Sequence, residues 1–330
     1  IMKPLKYLFI SSMLFVATSC GNSWLDLEPS TSVDTETSIK ILSDVEFTLN
    51  GIYSTMQSSD AYSGRLVYYG DVTGDDMQAV SSTKRVANYY RFNFTKDDNP
   101  SSHWSYLYSI IQNCNLILMN IDKLVIDEDD KAYRDDLKGE ALAIRGLALF
   151  DLTRIFGYPY LKDDGASLGV PIIEGLSTID SKPTRNTVAQ CYTKIIDDLT
   201  QSLSLLGEKF NKGKINKWGA MVLLSRVYLY KGENANALKM ASDAIIGAEK
   251  NKYALWTNED YPTAWGEDAS ASKPGEVLFE IVNLTTDSPG KESMGYLNSY
   301  DGYDDMCITC SFYQFLKEDP KDIRLKLLSF

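Results

Sequence analysis

The chain has 330 residues, 44% hydrophobic and 24% charged, an ordinary globular composition with length for one large or two medium domains. Its formal charge of −12 argues against a nucleic-acid or anionic-headgroup binder, which needs clustered Lys and Arg. One histidine, His103, leaves little scope for imidazole chemistry and makes a four-ligand zinc site hard to assemble.

In chain order, Lys3 and Lys6 open a short basic region. Tyr7 to Ala17 is an apolar run broken only by Ser11 and Ser12, and Ala17-Thr18-Ser19-Cys20-Gly21 follows with small residues and a cysteine. A basic start, an apolar middle of about 7–15 residues and a small-residue cut site form an export signal. A span would need about 20 apolar residues, so this run is too short. Ala17-Thr18-Ser19-Cys20 resembles a bacterial lipobox, cut before the cysteine whose thiol then carries lipid. Residues 1–19 are therefore expected to be a signal peptide, with Met2 as its start, and Cys20 the lipidated N-terminus. The alternative is a secretory signal with a coincidental cysteine. Loss of Lys3 and Lys6 would take the charge from −12 to −14, which suits a soluble body held to a membrane by lipid.

Residues 21–37 read as an extended leader. Ser43-Asp44-Val45-Glu46 is a capping box, and Val45, Leu49, Ile52, Tyr53 and Met56 follow at helical spacing. Residues 58–98 lose that period and read as a long loop region with strand pieces such as Tyr89 to Phe94; a loop this long is usually functional or mobile. Asn99-Pro100 is a helix start with Pro at the first position. Trp104, Leu107, Tyr108, Ile111, Cys114, Leu118 and Ile121 line one face of that helix, and His103 reads as a surface residue of its first turn.

After acidic Asp127 to Asp130, a helix turns Leu137, Ala141, Ile144, Ala148, Leu152 and Ile155 inward and stops at Gly157 before Pro159. An irregular crossing over 158–186 leads to a second capping box, Thr187 to Gln190. A helix with Val188, Tyr192, Ile195, Leu199, Leu203 and Leu206 then runs to Gly207. Residues 216–249 fit the 34-residue tetratricopeptide pattern, with Leu224, Ser225 and Tyr228 on a first helix and Ala237, Ala241 and Ala244 on a second, broken at Gly232. Helices 137–156 and 188–206 suggest an earlier unit of that kind. Glu276 to Val282 is a strand candidate, and Phe312 to Leu316 and Asp319 to Leu328 begin helices.

Cys114 and Cys191 sit in apolar helical patterns and read as small buried hydrophobes. Cys307-Ile308-Thr309-Cys310 is compatible with a redox pair, half a zinc site or a local disulfide. With no second CxxC and no βαβ pattern nearby, it reads as structural or incidental. There is no GxSxG and no Gly-rich phosphate loop.

These pieces in this order resemble the SusD/RagB family of outer-membrane lipoproteins of Bacteroidetes-type bacteria. The carriers of the likeness are Cys20 with Trp24-Leu25-Asp26 and Pro29; Leu49-Asn50-Gly51-Ile52-Tyr53; Asn113-Cys114-Asn115; and Gly139-Glu140-Ala141 with Arg145-Gly146-Leu147-Ala148. Further on come Phe156-Gly157 before Pro159, Arg185-Asn186-Thr187-Val188 with Tyr192, Asp198 and Leu199, the Ala220 to Tyr230 helix, Glu276 to Ile281 and Asp322-Ile323-Arg324. The family usually has Arg-Ala where this chain has Arg145-Gly146, a change expected to loosen helix packing.

The resemblance implies a mainly α fold of tetratricopeptide-like repeats with long irregular loops and a few short strands. Residues 20–330 would form a SusD-like domain, C-terminally incomplete, with repeat-type helix pairs within 137–206 and 216–249. It also implies a non-catalytic surface protein without cofactor, which captures glycans or other nutrients and caps a TonB-dependent transporter of SusC type. Of the family's functional residues only Cys20, the lipidation position, carries over.

Two stretches combine irregular structure, carboxylates and aromatics: 68–90 and 296–304. Sugar recognition needs an aromatic platform for the C–H face and polar groups for the hydroxyls. Asp75, Asp76 and Tyr89 supply one half of such a site; Tyr296, Tyr300, Tyr303 and Asp304 supply the other, provided the two meet in space. Otherwise these tyrosines pack the loops onto the scaffold. Two other functions compete. One is a repeat scaffold for outer-membrane assembly, which would favour short loops. The other is a glycoside hydrolase using Asp75-Asp76, Asp163-Asp164 or Asp304-Asp305, although adjacent aspartates in loops are usually turn residues.

Overall fold

The computed structural model describes residues 38–95, 100–178, 180–209, 211–265, 275–284 and 286–328; the leader and Cys20 lie outside them. The chain divides into two units, Ile1–Lys40 and Ile41–Phe330, and all that follows concerns the second. Its helices are α1 (Leu42–Met56), α2 (Arg65–Val72), α3 (Ala87–Tyr90), α4 (Ser101–Asn120), α5 (Lys131–Phe156), α6 (Val188–Leu205), α7 (Lys217–Lys231), α8 (Asn234–Lys250), α9 (Tyr261–Ala264), α10 (Met294–Asn298) and α11 (Cys310–Lys317). Among the described residues there are two short strands, β1 (Met77–Ala79) and β2 (Met306–Ile308). The long helices α4 to α8 pack each on the next, and α1 covers α4 and α5. The fold is mainly α, with helix pairs stacked as tetratricopeptide-like repeats.

α5 is the central member and is buried almost all round from Leu137 to Thr153. A helix so placed cannot be apolar on one stripe only, and every polar group it carries needs a partner. Arg145 forks onto Asp198 of α6 with 2.8 and 2.7 Å bonds and donates to Asn115 Oδ1 of α4 at 2.9 Å. Asn115 in turn donates to the carbonyls of Ile173 and Gly175. One guanidinium thus ties three helices to the 158–186 crossing. Glycines let α6 come close: a Cβ on Gly139 would meet Leu206 at 2.9 Å and one on Gly146 would meet Leu199 at 3.1 Å. Gly146 therefore admits a tighter approach of α6, the reverse of the loosening expected from sequence.

The α7–α8 hairpin turns at Gly232, whose φ of 83° is open to glycine at no steric cost. Ser225 Oγ donates to the Ala237 carbonyl at 2.8 Å across the hairpin. The Trp218 ring lies so close to Gly247 that a Cβ there would fall 2.0 Å from it. Asn216 caps α7, accepting from the amides of Trp218 and Gly219, and Thr187 with Gln190 forms the box that starts α6.

Several local expectations are corrected. Helix α1 begins one residue before Ser43, with Asp44 reaching back to the Ile41 amide at 3.0 Å. Pro100 is the cap of α4 rather than its first residue. The 58–98 stretch holds α2, β1 and α3, and no strand over 89–94. Glu276 to Val282 forms no strand; its backbone is irregular, with bends at Glu276 and Leu278. Its backbone is met by single links, Glu280 N–H to the Lys212 carbonyl at 2.8 Å and Asn216 Nδ2 to the Leu278 carbonyl at 2.6 Å. Past α11, 319–328 yields only a 3-10 turn, Ile323–Leu327.

His103 is buried, not exposed. The first turn of α4 faces the loop after α1, where His103 Nδ1 lies 3.2 Å from the Asp60 carbonyl. Burial lowers its pKa.

Two predictions follow from this packing. Gly247→Ala should cost about 1–3 kcal/mol by overpacking against Trp218, read as a lower urea midpoint; an unmoved midpoint would contradict the hairpin packing. Glu140, on α5, accepts from Tyr53 Oη at 2.8 Å, and burial pushes its carboxyl up to about 7 from an ordinary 4.5, against the pull of Lys214. The folded state thus holds a proton that the unfolded chain releases. That contribution is complete below pH 4.5 and lost as pH rises through 7. Glu140→Gln should flatten the fall in melting temperature across this window relative to wild type; an identical slope would contradict it.

Candidate ligand-binding site

The site begins with a pairing of residues far apart in sequence. β1 and β2 run antiparallel in the register Met77↔Ile308, Gln78↔Cys307 and Ala79↔Met306. At one end Thr309 donates its amide to the Asp76 carbonyl and its hydroxyl to the Asp75 carbonyl, both at 2.9 Å. At the other end the Val80 amide donates to the Asp305 carbonyl at 3.2 Å. A two-stranded ribbon is marginal in water by itself. This one rests on a small core of Tyr68, Val72, Val86, Leu297 and Met306.

The ribbon joins the two stretches singled out by sequence but spreads their side chains along its length. Asp75 and Asp76 are exposed at the Thr309 end, while Tyr303 and Asp304 sit at the Val80 end, four strand positions or roughly 13 Å away. Tyr300 stands out at 85% exposure. Tyr303 is not an open platform. The Arg85 guanidinium lies 4.1 Å above its ring, and the Tyr296 ring meets it edge-on at 5.1 Å. Tyr89 packs into an aromatic group with Tyr69 at 5.5 Å and Phe94 at 5.9 Å. Asp304 adopts a φ of 48°, a conformation that Asp tolerates better than most residues. Gly302 is required by close approach, since a Cβ would fall 2.0 Å from the Tyr296 carbonyl oxygen.

Arg85, missed in the sequence, organises this end. Its Nε donates to the buried Asp305 at 3.0 Å and its Nη1 to Glu292 at 2.8 Å, while Lys84 Nζ donates to the Tyr303 carbonyl at 2.6 Å. Three loops are thereby clamped by one planar fork. The only sequence signal was a Lys-Arg pair inside an acidic, Ser/Thr-rich loop. Asp305 is thus an ion-pair partner, and Asp163 is a turn residue that accepts from the Ser167 amide at 3.3 Å. Cys307 lies in β2 and Cys310 opens α11, both as free thiols. No group of potential metal ligands occurs among the described residues, and no helix among them is long and apolar enough to cross a membrane.

A family profile for SusD-like proteins, described as starch-binding and associating with the outer membrane, matches residues 23–229. SusD-like protein P2 of Formosa agariphila is 28% identical over 311 residues, covering 91% of this chain and 57% of that protein. Among solved structures, a candidate sugar-binding protein of Bacteroides vulgatus is 82% identical with a TM-score of 0.87, over 89% of this chain and 66% of that one. A SusD superfamily protein of the same species is 38% identical with a TM-score of 0.83, over 88% and 66%. The chain therefore spans about two thirds or less of the length of these relatives. The extent of the profile match and the shared helical fold carry one conclusion: this chain belongs to the SusD/RagB family.

Proposed function

We propose that the protein is a non-catalytic outer-membrane lipoprotein that captures a glycan and delivers it to a TonB-dependent, SusC-like transporter. The observation that supports this reading is the β1–β2 ribbon, which joins the segment carrying Asp75 and Asp76 to the one that follows the loop bearing the exposed Tyr300. An exposed ring offers a stacking face for the apolar C–H side of a sugar, and carboxylates accept from its hydroxyls. The family's description as starch-binding supports the ligand class. A glycosidase needs two carboxyl groups facing across a bond, about 5–9.5 Å apart. Asp305 is engaged by Arg85 and Asp163 by Ser167, which favours binding over hydrolysis.

Tyr300→Ala should weaken binding of the best ligand in a neutral oligosaccharide panel by roughly 5–30-fold in calorimetry, the effect of about 1–2 kcal/mol, with helix content unchanged. Affinity within twofold of wild type would move the site off the ribbon. Anchoring is tested separately: Cys20→Ala in the full-length protein should abolish lipid labelling and shift it from the membrane to the soluble fraction. Retention with unchanged labelling would overturn the lipobox reading.

A further inference from the structure

A second aromatic concavity lies on the repeat helices, away from the ribbon. Past Arg154 at the end of α5 the chain turns at Gly157, where a Cβ would fall 2.6 Å from the Thr153 carbonyl oxygen, and presents Tyr158, Pro159 and Tyr160. With Tyr192 of α6 and Tyr230 at the end of α7 these enclose a cleft of about 310 Å³, at the small end of ligand pockets. Leu161 closes one side by seating against Gly232, where an added Cβ would meet it at 2.8 Å.

The cleft has a floor and open walls. Tyr192 is 3% exposed and takes the Tyr160 ring edge-on at 5.0 Å; Tyr158 and Tyr230 remain 54% and 46% exposed. Three cations hold the wall rings. Lys162 Nζ lies 3.3 Å from the Tyr158 ring centre, Lys231 5.6 Å from that of Tyr160, and Arg154 5.4 Å from that of Tyr230. A cation takes one face of a ring, so the rings are held in place while Tyr158 and Tyr230 keep about half of their surface exposed. Arg154 is paired with buried Asp151, and Lys231 with Glu233. Two of the three charges are thus balanced, which suits a neutral ligand, and the Arg154 guanidinium lines the cleft beside the tyrosines. Ring faces for C–H groups, with donors and acceptors at the edges, match a neutral sugar unit.

Two separate sets of ring contacts lie between this cleft and the ribbon, on neighbouring residues of α4. Tyr89 packs on Tyr69, and Tyr69 on His103 at 5.7 Å. The next residue, Trp104, meets Phe156 edge-on at 5.0 Å, two residues before Tyr158. The helix ends that carry these rings are therefore neighbours in the stack. We propose that the Tyr158–Tyr230 cleft is a second saccharide subsite, engaging another segment of the same glycan chain that the ribbon holds. The ligand class rests on the glycan-capture reading. The added feature is bivalent engagement of one polymer, which raises its affinity without a new contact at the first site.

The test uses calorimetry on the full-length protein, with soluble starch, laminarin and neutral heptasaccharides of each linkage as probes. Wild type, Tyr300→Ala, Tyr158→Ala/Tyr230→Ala and the triple variant are compared. The cleft variant should lose tenfold or more in affinity for the best-bound polymer, and the triple variant should bind more weakly than either parent. Polymer affinity within twofold of wild type in the cleft variant overturns the inference and leaves the ribbon reading standing. Absence of binding to every probe by wild type overturns both. Tyr230 also packs edge-on against Phe150 at 5.5 Å, so if the double change unfolds the protein, Tyr158→Ala alone is read, with a threefold or greater loss expected and no loss contradicting the proposal.

Discussion

Arg145 reaches three parts of the molecule from one buried position. Its fork meets both oxygens of Asp198, its remaining Nη1 meets Asn115, and Asn115 hands the link on to two carbonyls of the 158–186 crossing. A buried ion pair is not of itself strongly stabilising, because desolvation offsets much of the attraction. Its effect here is on register. α5 is buried on nearly every side, so apolar contacts alone would tolerate rotation or sliding, whereas a planar bidentate fork does not. Removing Asp198 would leave the buried Arg145 charge uncompensated, at about 3–5 kcal/mol, whereas Asp198 also has Lys194 at 3.2 Å. The glycines at 139 and 146 belong to the same constraint, because they let α6 come close enough for Asp198 to meet the fork.

With the helices in register, their loop ends become a platform. The crossing after α5 is held at Asn115 and at Arg185, whose guanidinium donates to the carbonyls of Gly169 and Phe156 at 2.6 Å. This fixes the Tyr158–Leu161 turn beside α6 and α7. The ribbon is built differently. It has its own small core and is clamped by Arg85, so its side chains are set by a local module and not by the helical stack. Sites on rigid supports lose little order on binding, and that preserves affinity for flexible ligands such as glycans.

The helical half of the fold was legible because its signals are local. Thr187 and Gln190 sit three residues apart and cap each other; Gly232 ends α7 with a positive φ; the inward face of α6 follows from periodicity, while α5 is buried well beyond its apolar stripe. The ribbon was not legible. Each strand has three residues, the partners lie 227 to 231 positions apart, and neither carries a hairpin turn. Glu276 to Val282 shows the opposite failure, a β-like composition with no neighbouring strand to complete a ladder. His103 was misjudged because a first-turn position is exposed only if nothing packs on it, and the loop carrying Asp60 does. At the site itself, chemistry-bearing types could be chosen from sequence, but which ring is free could not. Tyr300 and Tyr303 are equivalent as letters, and only the fold puts Arg85 over one of them.

A crystal structure with the best-bound oligosaccharide would test the account most directly. A sugar ring should stack on Tyr300, with the chain running along the ribbon toward Asp75 and Asp76. A well-ordered oligosaccharide seated elsewhere, with Tyr300 still facing solvent, would contradict it.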